Sequence, residues 1–348
     1  MPWHRDPLPD DLEELNGLCR AGKLFAVQEW IASGKRFQRL PARCSDSPLM
    51  VALQTGFHSM VEVFLKAGVD QDEKDCALRR ALSRRRLDFA ELLVAYGANP
   101  RTVSFEDVIE THNPPLIRWF IDRGIDMEEG LPIAHALLKR HRGFLGIYMD
   151  LRDRIPSDRR QAAMALRVHC REGSMRWVAL LLWAGTEPRE KVPDLEYKPP
   201  EEFIGTALED AVHRSQIEVV RKIGIDPKKD NVTELLWGCF MCKEPEIVRM
   251  LLEAGANPNE GVGDLNPMQS LICNFQTSLD HRFSRRDPEA AVRCLEIAAS
   301  FGGRWRPADS HAFRYFRQAV GQASHYSVVS HIHRIVKAGV IEREVFAR

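Results

Sequence analysis

The chain has 348 residues, 44% hydrophobic and 28% charged, a composition that excludes an intrinsically disordered chain and supplies ample material for a core. Lys plus Arg and Asp plus Glu balance at 49 each, so no global field draws the protein to nucleic acid or to an acidic membrane, and partner choice has to be local. The opening MPWHRDPLPDDLEEL lacks the apolar run of a signal peptide, and no segment approaches the ~18 uninterrupted apolar residues of a bilayer span, so a cytoplasmic protein with no membrane partner is expected.

At this length the chain is either two ordinary domains or one array of repeats. Eight cysteines (Cys19, Cys44, Cys76, Cys170, Cys239, Cys242, Cys273, Cys294) are too sparse for a disulfide framework and read as reduced thiols.

In chain order, LNGLCRAGKLFAVQEWIASG reads as two short helical patterns ending at Gly34. SPLMVALQTGFHSMVEVFLKAGVD, residues 47–70, repeats that plan more clearly. Ser47 can cap a helix, Pro48 suits its first turn, and Leu49, Ala52 and Leu53 form its inward stripe. Gly56 ends that helix. Met60, Val61, Phe64 and Leu65 then mark a second helix, with Gly68 where a left-handed C-terminal residue is expected. Gly97, Gly185 and Gly255 hold the same position after later second helices. Each pair has more apolar surface than it can hide alone, and related pairs recur at a period of roughly 27 to 35 residues through to VVSHIHRIVKAGV.

The best copies are SPLMVALQTGFHSMVEVFLKAGVD, EPEIVRMLLEAGANPN and TALEDAVHRSQIEVV. They resemble ankyrin repeats, whose pattern runs Thr-Pro-Leu-His, two small residues, Gly, then Ile-Val and a Leu pair before Gly-Ala-Asp/Asn. The resemblance extends from about Leu12 to Gly339. It implies an all-α fold, an ankyrin-type helical solenoid of about ten helix-turn-helix repeats with two insertions. The chain departs from the pattern in three ways. No unit retains the full Thr-Pro-Leu-His, several inter-unit loops look too short for a β-hairpin, and the unit ending at Gly224 lacks about one turn of its second helix.

The insertions set the expected organisation. EPREKVPDLEYKPPEEF, 187–203, is proline-rich and charged and reads as an exposed connection between a stack over 1–186 and a stack over 204–348 whose last two units are irregular. NFQTSLDHRFSRRD reads as a surface insertion between the helices of the ninth unit.

No local motif carries catalysis. Cys239 and Cys242 form a C-x-x-C, but Cys239 falls on a small-residue position of a first helix and no second C-x-x-C stands at zinc-like spacing. His331 and His333 are two apart, about 200° around a helix, and cannot jointly face one ion. Phosphate-loop glycine patterns are absent. No cofactor or metal is expected, and the chain reads as a non-enzyme.

The densest charge signal is LRRALSRRRLD, which carries Arg79, Arg80, Arg84, Arg85 and Arg86. Such a run is usually a solvated face; as a site it suits an acidic protein or nucleic-acid phosphate. No aromatics are interleaved for base stacking, which ranks the acidic protein first. Arg outnumbers Lys by 37 to 12, so part of the run reflects composition.

The resemblance also implies a binding strip, because in ankyrin repeats the residues just before the turn glycine of the first helix point to the concave side. Carried over unit by unit, these are Gln54 and Thr55, Ser83 and Arg84, Glu110 and Thr111, Leu138 and Lys139, and Arg171 and Glu172. Next come His213 and Arg214, Met241 and Cys242, and His325 and Tyr326. The expected function is a protein-protein interaction scaffold, an inhibitor, adaptor or regulator; the alternative is a nucleic-acid-associated regulator using Arg79 to Arg86.

Overall fold

The computed structural model describes residues 10–35, 37, 47–152, 156–197, 203–241, 243–261, 266–279, 287–305, 314, 316–318, 320–321 and 326–341. It is all-α: among the described residues the β pairing is a single isolated bridge between Val192 and Gly205. The chain divides into two compact units, residues 1–151 and 152–348.

The first unit holds α1 (Asp10–Arg20), α2 (Leu24–Ala32), α3 (Pro48–Thr55), α4 (His58–Ala67), α5 (Gln71–Ser83) and α6 (Leu87–Ala95). A 3-10 turn (Pro100–Thr102) leads into α7 (Phe105–Glu110), α8 (Pro114–Ile121), α9 (Pro132–Leu138) and α10 (Arg142–Leu151). Local chemistry starts α3, α5 and α7. The Ser47 side chain accepts from Met50 N at 3.3 Å with Pro48 in the first turn, Asp70 accepts from Glu73 N at 2.7 Å, and Ser104 accepts from Asp107 N at 3.1 Å. The residues read as inward stripes are buried: Leu49, Ala52 and Leu53 on α3, and Met60, Val61, Phe64 and Leu65 on α4. A fully buried Phe64 alone contributes about 2–3 kcal/mol of transfer free energy. First helices pack on first helices, α1 to α3 to α5 to α7 to α9, and each packs on its own second helix.

The second unit holds α11 (Pro156–Glu172), α12 (Met175–Trp183), α13 (Ala207–His213), α14 (Ile217–Ile223) and α15 (Val232–Trp237). A 3-10 turn (Gly238–Met241) is followed by α16 (Pro245–Glu253), α17 (Pro267–Ser278), α18 (Pro288–Ser300) and α19 (Tyr326–Lys337). Thr206 and Glu209 close a reciprocal capping box on α13. α14 spans 7 residues against 9 or 10 for α12 and α4, the missing turn expected before Gly224.

Three features differ from the sequence reading. Asn274 to Ser278, assigned to an insertion, extend α17, and Asn274, Phe275, Gln276 and Ser278 are buried; residues 280–286 of that insertion lie outside the described residues. Within 187–203, Val192, Pro193 and Asp194 are buried, and the segment belongs to the second unit, whose start at Arg152 precedes it. Cys76 is disulfide-bonded, whereas Cys19, Cys170, Cys239, Cys273 and Cys294 are free thiols. Counting cysteines along the chain cannot detect a bond that depends on proximity in the fold.

The glycines following second helices all have positive φ: 90° at Gly68, 92° at Gly97, 86° at Gly185 and 98° at Gly255. At Gly68 the ψ of 94° places it outside the left-handed helical basin proper. The turn inside several pairs also takes positive φ, which Gly56 meets at 81° while Arg85, His112, Arg140 and Ser215 meet it at 56°, 53°, 64° and 59° with a side chain attached. A β-carbon there costs about 1–2 kcal/mol, partly offset by the greater unfolded-state freedom a glycine would bring. Arg85→Gly is therefore expected to raise unfolding free energy by about 0.5 kcal/mol and Gly56→Ala to lower it by about 1 kcal/mol. Urea denaturation of the two variants checks the sign of each.

Candidate protein-binding strip

In the first unit the ends of α3, α5, α7 and α9 follow one another along the row of first helices. Gln54 is exposed, and half-buried Thr55 donates its hydroxyl to Ala52 O at 2.7 Å. On α5, Arg79 and Ser83 are exposed and Arg80 is half-buried; the Ser83 hydroxyl donates to Arg80 O at 2.9 Å. Arg84, the residue capping α5, is exposed. Glu110 is exposed at the end of α7, and buried Thr111 donates to Val108 O at 2.7 Å. Leu138 is half-buried, whereas Lys139 is exposed with Nζ 2.7 Å from Glu110 and 3.1 Å from Glu106.

Four of these residues meet in one groove of about 370 Å³, lined by Arg79, Leu82, Ser83, Arg85, Asp107, Glu110 and Thr111. Its electrostatics are lopsided. The hydrogen bond from Lys139 holds the Glu110 carboxyl below the usual carboxylate range, so that charge is already matched. The groove's two guanidiniums, Arg79 and Arg85, then face one other carboxylate, Asp107, and Arg84 adds a third cation beside them. Arg86 is committed elsewhere: it donates to both oxygens of Asp88 at 2.9 and 2.6 Å and lies 4.3 Å from the Phe89 ring centroid. Arg85 and Asp107 were absent from the strip read by register. The available signal was that Arg85 stands at the turn position Gly56 fills one repeat earlier, where positive φ turns its side chain beside the helix end.

The second unit treats its strip positions differently. Glu172 and Arg214 are exposed. His213 is half-buried, and burial pushes its imidazole below its ordinary pKa despite Asp210 and Glu209, so it is neutral at pH 7 and offers no cation. Arg171 is not a free surface group. Its side chain is 9% exposed and pairs with Asp194, with Asp210 at 3.1 Å and with Glu196 at 2.6 Å. One turn earlier, buried Arg167 donates to Asp210 at 2.8 Å, to Val192 O at 2.6 Å and to Phe203 O at 3.0 Å. These two arginines fasten the 187–203 segment to α11 and α13. Cys239 is buried with its thiol 3.6 Å from Leu235 O, a packing position. Cys242 and His325 lie outside the described residues, as do the side chains of Met241 and Tyr326.

The family described as Ankyrin repeats (3 copies) matches residues 15–104, so the chain carries ankyrin repeats over that stretch. Solved structures similar to the chain include the ankyrin repeat domain of Bcl-3, at 16% identity and a TM-score of 0.32, covering 74% of this chain and 92% of that one. The human ASB11 ankyrin repeat domain has 16% identity and a TM-score of 0.23, covering 76% and 91%. An ankyrin repeat domain from Acinetobacter baumannii AYE has 15% identity and a TM-score of 0.24, covering 83% and 97%. No curated protein matches the chain. Among the described residues no helix is long and apolar enough to cross a membrane.

The two kinds of arginine separate by mutation. Arg171→Ala leaves buried Asp194 without one of its cations and is expected to cost about 3 kcal/mol, whereas Arg84→Ala and Arg214→Ala should stay within about 0.5 kcal/mol. Thermal unfolding of the three single variants measures the difference.

Proposed function

We propose that the chain is a non-catalytic scaffold, an inhibitor, adaptor or regulator, that binds another protein along its row of first-helix ends, with the groove between α5 and α7 as the centre of the first unit's site. Ankyrin repeats are in general protein-interaction modules, and the apolar faces of these helices are spent on their neighbours, which leaves the helix ends as the free surface. One observation carries the choice of partner. Arg79, Arg84 and Arg85 are exposed together with no ion pair among the described residues, while Lys139 neutralises Glu110. An acidic protein segment complements that surplus, and guanidiniums suit planar carboxylates. The groove has no aromatic lining on which bases could stack, which weighs against nucleic acid. A cytoplasmic setting, in which the Cys76 disulfide would be reduced, belongs to the same proposal.

Capture from the native host with crosslinks mapped by mass spectrometry tests the reading. Crosslinks to an acidic protein should fall on α5 and α7. The triple variant Arg79→Glu, Arg84→Glu, Arg85→Glu should keep its thermal midpoint within a few degrees yet lose at least about 2 kcal/mol of binding free energy. Crosslinks confined to second helices, or undiminished affinity of the triple variant, would overturn it.

A further inference from the structure

In the second unit the chain leaves the helical stack at Val192 and returns at Gly205, and its two ends are tied. Val192 N donates to Gly205 O at 3.0 Å and Gly205 N to Val192 O at 3.1 Å. Arg167 clamps the carbonyls of Val192 and Phe203, and Arg171 grips Asp194 and Glu196. A loop fastened only for structure would turn its apolar side chains inward, as Val192 and Pro193 do. Tyr197, Phe203 and Ile204 do the opposite, at 42%, 45% and 59% exposure. The two rings stack on each other with centroids 4.3 Å apart and planes at 28°. Scattered exposed hydrophobes are ordinary, but a stacked aromatic pair beside an exposed isoleucine, on backbone fixed by buried ion pairs, has the makeup and preorganisation of an interface hot spot.

Charge selects the occupant. At the base of this patch the guanidiniums of Arg167 and Arg171 meet the carboxylates of Asp194, Asp210 and Glu196, and Glu209 adds a fourth through its hydrogen bond with Thr206 N beside Gly205. Among these described residues carboxylates outnumber guanidiniums by four to two. Aromatic faces attract cations, and carboxylates repel phosphate, so nucleic-acid bases, although they stack on such rings, bring the wrong charge. We infer that Tyr197, Phe203 and Ile204, with Glu196 at the rim, form a second docking site for a basic segment of a protein partner. The Arg171 guanidinium already stands 6.0 Å from the Tyr197 ring centroid, so the partner's arginine or lysine lies over the Phe203 ring and pairs with Glu196, and a neighbouring aliphatic side chain covers Ile204. This site is separate from the groove between α5 and α7 and stands if that reading fails.

The test uses the full chain with labelled isoleucine δ1 methyl groups, the Ile204 resonance being assigned from Ile204→Val. The probe is the peptide acetyl-Gly-Leu-Arg-Arg-Leu-Gly-amide, compared with its glutamate-for-arginine counterpart and with single-stranded oligothymidylate. The basic peptide is expected to shift the Ile204 methyl saturably. Tyr197→Ala with Phe203→Ala should weaken binding about ten-fold or more, with the remaining isoleucine methyls unmoved. Tyr197→Phe should retain binding, and Glu196→Lys, which leaves both rings in place, should lose it. The inference is overturned if the glutamate peptide or the oligonucleotide shifts Ile204 as strongly, or if no probe shifts it. It is equally overturned if Glu196→Lys binds like the parent, or if the resonance moves with protein concentration alone, the sign of a second copy as occupant.

Discussion

Among the described residues, helix pairs this short cannot hide their own apolar faces. The helices run from 6 residues in α7 to 17 in α11, and isolated helices below about 12 to 15 residues are marginal in water. Stability therefore comes from one first helix lying on the next, α3 on α1 and α5 on α3, with second helices packed behind them. This constraint decides where function can sit. Side chains in the stacking faces are committed to neighbours, and the residues at the helix ends and in the turns are the ones left to vary without breaking an interface.

The turns carry a cost of their own. Several helix pairs reverse through a residue of positive φ, and Arg85, His112, Arg140 and Ser215 bear it with a side chain. At Arg85 the strained conformation puts a guanidinium in the groove wall, where glycine would put nothing. At His112 the ring packs against His141 of the following turn, 4.2 Å between centroids. Burial, and after it the neighbouring His112, hold the His141 imidazole below its ordinary pKa, so His141 contributes more to the fold when neutral, a contribution lost as pH falls below the ordinary histidine range. Positive-φ turns with side chains thus trade a little backbone energy for contacts along the row of first-helix ends.

Much of this was legible in one dimension. Periodicity of 3.6 identified Leu49, Ala52, Leu53, Met60, Val61, Phe64 and Leu65 as core, and all are buried, because a stripe on a short helix has nowhere else to go. Small caps and glycines marked the helix ends for the same local reason. What escaped were features set by partners distant in sequence. Arg171 reads as a strip residue by register, yet its carboxylates Asp194 and Asp210 lie 23 and 39 positions away. The polar run from Asn274 reads as an insertion, yet Thr277 and Ser278 satisfy their hydroxyls on Cys273 O and Phe275 O and let α17 continue. Segment 187–203 has the composition of an exposed linker, but composition cannot register two arginines waiting on α11.

The excess of arginine over lysine follows from the same geometry. Arg189 reaches Asp230 at 2.6 and 2.9 Å and Gly224 O at 2.8 Å, so one side chain ties the segment after α12 to the turn after α14. Arg334 on α19 grips Glu289 and Glu296 on α18, and Arg304 holds the carbonyls of Ala299 and Gly303. A guanidinium has five donors in a fixed fork and can satisfy a carboxylate and a carbonyl at once, which a lysine ammonium does less well. Loops that depart from a short repeat leave orphan carbonyls and carboxylates, and arginine answers both. A run of arginines is then informative only where these demands are absent. Arg79, Arg84 and Arg85 meet that condition among the described residues, for they stand exposed at a helix end with no ion pair to a loop.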